Sequence, residues 1–168
     1  MTTLTAKVAA SISAEFDSAL DIGSVSYPVN FGANYLLTDG TGANQANQLF
    51  TDIRTLTASS TEDLDLSGVL LNAYGTACVF TKIKAIIVTA AAANTNDVLV
   101  GGAAATQVTS FFGDVTDVVK VKPGGMFMLV APDATGYAIT AGTADLLKVA
   151  NSAGGTSVTY TIVLIGTI

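Results

Sequence analysis

Histidine and tryptophan are absent from this 168-residue chain, and cysteine occurs once. Without histidine the chain lacks the side chain that most often serves as general base or metal ligand near neutral pH. Without tryptophan it lacks the largest interface anchor. A single thiol excludes an intrachain disulfide and leaves the redox compartment open. Cys78 lies in the apolar run Thr76-Ala77-Cys78-Val79-Phe80, with no histidine or lysine beside it to draw out a thiolate, so it reads as a buried thiol rather than a nucleophile. Charge is scarce, at 12% of residues, about half the usual ~25%. That excludes a solvated tail, a coiled coil and a disordered chain. Seven basic against thirteen acidic residues give −6 and a pI near 4.2. The basic face that phosphate binding requires is missing, and no nucleic-acid partner is expected. The longest nearly uncharged apolar stretch, Ala85 to Ala93, is too short for the about 20 residues of a spanning helix, and no membrane partner is expected. The mean hydropathy of +0.56 comes from aliphatic residues spread along the chain. Met1 to Val8 has no basic segment leading into an apolar one, so a secretory leader is not expected.

What is present is period-two patterning between turns. The length suits one domain able to bury about 68–70% of its unfolded surface without a staple. Residues 1–22 form an N-terminal arm in which Ile12, Phe16 and Leu20 recur every fourth position. That spacing permits a short helix, although Thr and Ser dilute it; an arm that orders only against a neighbour is the equal alternative. From residue 23 a single β-sandwich domain is expected. Ser24 to Phe31 alternates, with Pro28 confining it to an edge or bulge. Gln45 to Phe50 has room for one helical turn, and Thr51 to Thr57 returns to a strand. Further strands are expected at Asp63–Leu66, Ala77–Thr81, Lys82–Thr89, Val98–Val100, Asp117–Lys122, Met126–Val130, Tyr137–Thr140, Leu146–Ala150 and Ser157–Ile165. Strands at about 8–12-residue spacing with Gly and Pro between them describe an all-β sandwich or barrel. The unbroken run Ile162 to Ile165 is expected to be buried on both faces. Neither βαβ spacing nor an internal repeat beyond the strand-turn unit is present.

Each candidate site has a plain structural reading beside it. Asp63 and Asp65, with Glu62 adjoining, could bind a cation or act as acid and base; the wet face of an amphipathic strand is favoured, since nothing apolar beside them would raise a pKa. Asp39-Gly40-Thr41-Gly42-Ala43-Asn44 lacks the acidic positions and closing Glu of a calcium loop and reads as a surface loop. Asn94-Thr95-Asn96-Asp97 has the same standing. Gly101-Gly102 and Pro123-Gly124-Gly125 open no helix and read as turns rather than phosphate cradles. Lys82, Lys84, Lys120 and Lys122 would form a basic patch if their strands paired, but outward lysines protecting edges are favoured. Met126 and Met128 share a face opposite Phe127 and read as core. Phe111-Phe112 cannot both be buried on a thin sheet: either Gly113 starts a turn that folds one ring back, or one ring meets a partner. Phe111, Phe112, Phe16 and Ile12 are the candidate interface residues. No catalytic, cofactor-binding or metal-binding residue is assigned.

Several segments together resemble a group of small β-rich virion structural proteins from tailed bacteriophages. They are Asp39 to Ala46, Glu62 to Gly68, Lys122-Pro123-Gly124-Gly125, Ala131 to Tyr137 and Gly142 to Asn151. The resemblance spans about residues 25–168 and leaves the arm unmatched. It implies a capsid decoration (cement) protein on the outer surface of the head, built on a jelly-roll-like β-sandwich or barrel with an N-terminal arm. Such a protein forms homotrimers at local three-fold positions, and its partners are the major capsid protein and itself. It is not an enzyme and takes no cofactor. The arm, or the loops around residues 32–48, would face the capsid. The alternative is a tail, spike or host-adhesion component on a β-sandwich, which would expose an aromatic patch for carbohydrate. A glycan hydrolase comes third and would need carboxylates opposed across a groove.

Overall fold

The computed structural model describes residues 3–102 and 105–168; Met1 and Thr2, at the head of the expected arm, lie outside them. Among the described residues the chain forms eleven strands and no α-helix. They are β1 (Ala6–Ala19), β2 (Ser24–Leu37), β3 (Gln48–Leu56), β4 (Thr61–Asp65), β5 (Lys82–Ala90), β6 (Val98–Gly101), β7 (Val118–Val121), β8 (Met126–Val130), β9 (Tyr137–Ala138), β10 (Leu146–Asn151) and β11 (Val158–Thr167). Every pairing between them is antiparallel. One sheet has the order β4-β10-β6-β7. A second has the order β3-β11-β5-β8, with β9 pairing the start of β5. β1 and β2 form a separate two-stranded ribbon. The fold is the expected all-β sandwich.

Alternation decides which side chains enter the space between the two larger sheets. On β11, Val158, Tyr160, Ile162 and Leu164 all point inward and are buried. They meet Leu147 and Val149 of β10, Val98 and Val100 of β6 and Leu64 of β4 from the facing sheet. The opposite side of β11 holds Val163 and Ile165, which join Ala85 of β5 and Met128 and Val130 of β8 in a second, smaller cluster. Val8, Tyr35 and Leu37, at the foot of the ribbon, cover that cluster. The run Ile162 to Ile165 is therefore buried on both faces, as its sequence implies. A bulge between Ile165 and Gly166 shifts the register. There the backbone of Gly166 lies so close to the Lys82 carbonyl that a Cβ would sit 2.2 Å from it.

Several local expectations are corrected. The fourfold spacing of Ile12, Phe16 and Leu20 belongs to no helix, because β1 is a strand from Ala6 to Ala19. A spacing of four puts residues on one face of a strand as well as of a helix, and β2 supplies the hydrogen-bond partners that decide for the strand. The boundary at residues 22 and 23 falls in the turn of this hairpin, where Leu20 N–H bonds the Gly23 carbonyl at 3.0 Å. Gln45 to Phe50 makes no helical turn; β3 begins at Gln48. Residues 77–81 form no strand: Ala77 bridges Leu71, and the Cys78, Phe80 and Thr81 N–H groups bond the carbonyls of Leu70, Leu66 and Thr167 in turn. Met126 is exposed, whereas Met128 is part of the second cluster.

Candidate functional site

The ribbon is the most distinctive surface of the molecule. Fourteen residues per strand, at about 3.4 Å each, give it a length of roughly 45 Å. Its foot is held by Val8 and Leu37, both buried, and by Leu4, whose N–H bonds Asp39 Oδ1 at 3.1 Å. Beyond Ala10 and Ala33 every residue on both strands is exposed, so this part stands clear of the sandwich on both sides. Register sorts its residues into two unlike faces. One carries Ile12 opposite Phe31, Ala14 opposite Val29, Phe16 opposite Tyr27 and Ser18 opposite Val25; the other carries Ser13 opposite Asn30, Glu15 opposite Pro28 and Asp17 opposite Ser26. The polar face is tied across by Ser13 to Asn30 at 3.1 Å and by Ser26 donating to Glu15. The apolar face has no charged residue. Its Ile12, Phe16, Tyr27 and Phe31 are 60%, 76%, 68% and 60% exposed. Pro28, which has no N–H, sits in a ribbon where both strands are edges.

Of the expected interface residues, Ile12 and Phe16 are thus brought together on one open face. Phe111 and Phe112 are elsewhere. They lie in a turn rather than a strand, with Phe112 N–H bonded to the Thr109 carbonyl at 2.9 Å. Both rings pack against the main core, meeting edge to face at 6.1 Å, and Phe111 also lies 5.2 Å from Tyr137. Tyr27, Val29 and Phe31 complete the open face. Their alternation was readable in the sequence, but not their pairing with Ile12 and Phe16.

The polar clusters tie loops and strands together. Asp63 is exposed on the wet side of β4, as expected. Glu62 is not: it turns toward the inter-sheet space, accepts from buried Tyr160 at 2.6 Å and pairs with Arg54 at 2.6 Å. Burial first, and the Glu62 carboxylate second, push the Tyr160 phenol well above its ordinary range. Asp65 accepts from the N–H and hydroxyl of Ser67, both at 2.8 Å. Buried Asp145 accepts from Ser67, Thr106 and the Gly142 N–H. Burial would raise its pKa, but these donors outweigh it and hold the carboxyl below its ordinary value. Among the described residues no three acidic, Cys or His side chains are grouped to hold a metal ion.

The lysines do not gather. Lys82 and Lys84 are on β5, in the interior of one sheet, while Lys120 is on edge strand β7 of the other. Lys84, expected to face outward, is fully buried and donates to the Asp133 carbonyl. Lys84 is the extra residue of the β5 bulge: Ala85 pairs with Ile165 and Ile83 with Gly166, Lys84 itself is skipped, and its ammonium turns to the 131–136 loop, where burial lowers its pKa. Lys82 reaches the Ala134 carbonyl at 3.0 Å. Lys120 and Lys122 both approach Asp97. Cys78 is buried with its thiol pushed up by burial. An open groove of about 370 Å³ lies between residues 3–4, β3 and the 72–76 turn, lined by Leu4, Leu49 and Tyr74 together with polar side chains such as Asn47, Thr51 and Asn72. Compared with protein-family models, with curated proteins and with solved structures, the chain finds no match.

Proposed function

We propose that this chain is a structural protein of a tailed-bacteriophage virion, a capsid decoration protein that binds the outside of the expanded head and clamps neighbouring capsomers. The observation that carries the reading is the ribbon: the sandwich extends a β-hairpin whose outer half is exposed throughout and whose one face is apolar. Exposed apolar patches beyond roughly 300–600 Å² mark association sites. The resemblance of the turn segments supplies the virion context. The strand order supports the jelly-roll form of the sandwich, since the first strand of the body, β3, lies beside the last, β11, and the second, β4, beside the next-to-last, β10. The two elements expected to face the capsid, the arm and the loops around residues 32–48, form one unit. Thr38 and Ala46 close the 38–46 loop at the ribbon's foot through backbone bonds, and Asn44 ties it to Pro132.

The mechanism is mechanical. An assembly that grips several capsomers at once gains about 10²–10⁴ in avidity over a single contact. Binding only the expanded shell stabilises that state by mass action. In the test, the purified protein is mixed with emptied, expanded heads and sedimented. The intact chain is expected to co-sediment, and a deletion variant in which an Asn-Gly turn replaces residues 11–32, with Val8 and Leu37 kept in place, to stay in the supernatant. Unchanged binding by the deletion variant would remove the ribbon from the mechanism. A protein that ignores heads and binds tails or host envelopes would replace this reading with the tail or adhesion one. That second reading draws on the exposed Phe16, Tyr27 and Phe31, but their face offers carbohydrate few hydrogen-bonding groups besides the Tyr27 and Ser18 hydroxyls.

A further inference from the structure

We infer that the apolar face of the ribbon docks onto the same face of a second copy of this chain, the two ribbons lying antiparallel about a two-fold axis. The inference stands on the ribbon's geometry and would survive failure of the capsid reading. Three observations point to a second copy rather than another partner.

The first is area. The exposed fractions of Ile12, Phe16, Val25, Tyr27, Val29 and Phe31 amount to about 700 Å² of side-chain surface at ordinary residue sizes. A standard interface buries about 800 Å² per partner. A two-stranded ribbon is also marginal by itself in water, so a cover over this face completes an otherwise weak element.

The second is charge. The chain carries −6 overall, and like copies repel unless their contact is free of charge. Glu15 and Asp17 lie on the opposite face, and Asp21 is in the turn. The apolar face therefore presents no charge to a like copy and no basic group to an acidic partner or an anionic membrane.

The third is shape. Along the face, bulky rows (Ile12 with Phe31, Phe16 with Tyr27) alternate with slender rows (Ala14 with Val29, Ser18 with Val25). Placing a two-fold axis between the Ala14–Val29 and Phe16–Tyr27 rows sets every bulky row against a slender row of the second copy. Ile12 and Phe31 then face Ser18 and Val25, while Phe16 and Tyr27 face Ala14 and Val29. Such a surface is complementary to itself, as an isologous interface requires. Ridges are matched to hollows only in the antiparallel arrangement; a parallel one would stack bulk on bulk. The polar face and the 38–46 loop are left free for a shell.

The full chain at about 1 to 100 µM, without heads, is measured by sedimentation velocity and light scattering. The expected species has twice the 17.0 kDa chain mass. The double variant Phe16→Ser/Phe31→Ser is expected to weaken the dimer by at least about 100-fold, because buried aromatics dominate such contacts. Its far-UV circular dichroism should stay that of the folded sandwich. Glu15→Lys, on the polar face, should leave the dimer intact. A wild-type chain that stays monomeric at the highest concentration overturns the inference, as does an assembly indifferent to the double variant. Monomers that nonetheless bind heads through Phe16 and Phe31 would overturn it in favour of the shell protein as occupant, leaving the capsid reading standing.

Discussion

The phenol of Tyr160, fully buried on β11, donates to one oxygen of Glu62, and Arg54 holds the other. A carboxylate drawn toward a core is tolerable only when both oxygens are satisfied, and here each accepts a short bond from a different strand. Removing the phenol leaves one of them without its donor. Tyr160→Phe is therefore expected to cost about 2 kcal/mol at pH 7, the loss typical of a hydrogen bond to a charged group, read from denaturant midpoints. The pH dependence has a definite sign. Burial first and Glu62 second raise the folded-state pKa above the ordinary 10.0. Stability from this group is therefore complete below pH 10 and is lost as pH climbs above it. The gap between wild type and Tyr160→Phe should narrow above about pH 10; a gap that widens there would contradict the assignment.

At the scale of elements, the ribbon divides into two halves with different work. Val8, Tyr35 and Leu37 at its foot cover the outer side of the β3-β11-β5-β8 sheet, whereas every residue of the two strands beyond Ala10 and Ala33 is exposed. Ala10 and Ala33 are direct partners in the register, so an Asn-Gly turn can join them in place of residues 11–32 without disturbing the foot. The shortened protein is expected to keep its thermal midpoint within about 3 °C of wild type at low concentration. It should also lose any dependence of that midpoint on concentration. A large drop would show that the outer ribbon stabilises the sandwich directly. Cutting further, through Val8 and Leu37, should instead expose Ile165 and Ala85 and destabilise the whole domain.

At the scale of the molecule, the acidic groups bias stability toward neutral pH. The hydroxyl and N–H of Thr135 and the N–H of Gly136 hold exposed Asp133 at about 2, down from 3.8. Buried Asp145 is lowered as well, its three donors outweighing burial. Groups with depressed folded pKa values contribute above the unfolded pKa and lose that contribution as pH falls toward the folded one. Urea midpoints should therefore be flat between about pH 5 and 9 and fall between about pH 4 and 2. Asp145→Asn should be less stable than wild type at pH 6, with a difference that shrinks below pH 3. A difference that grows in acid would show that the Asp145 carboxyl is not stabilised in its charged form.

Much of this architecture is local and was legible in the chain. Period-two alternation, Gly and Pro turns and the absence of βαβ spacing determine an all-β sandwich. The two-sided burial of β11 follows from the run Ile162 to Ile165, because a strand apolar at every position can satisfy itself only between two layers. Cys78 reads as buried from its neighbours alone, and it is. What tertiary structure decided is everything that depends on a distant partner. The spacing of Ile12, Phe16 and Leu20 fits a helix face and a strand face equally, and only the hydrogen bonds offered by β2 choose the strand. Glu62 reads as solvent-facing beside Asp63 until Tyr160, 98 residues away, donates to it from another sheet. Lys84 alternates like an outward lysine until a bulge in the pairing of β5 with β11 breaks the alternation and turns its ammonium to the Asp133 carbonyl. Alternation along one strand records which residues share a face; which face meets water is set by what folds against it, and that is a property of the assembled sheets.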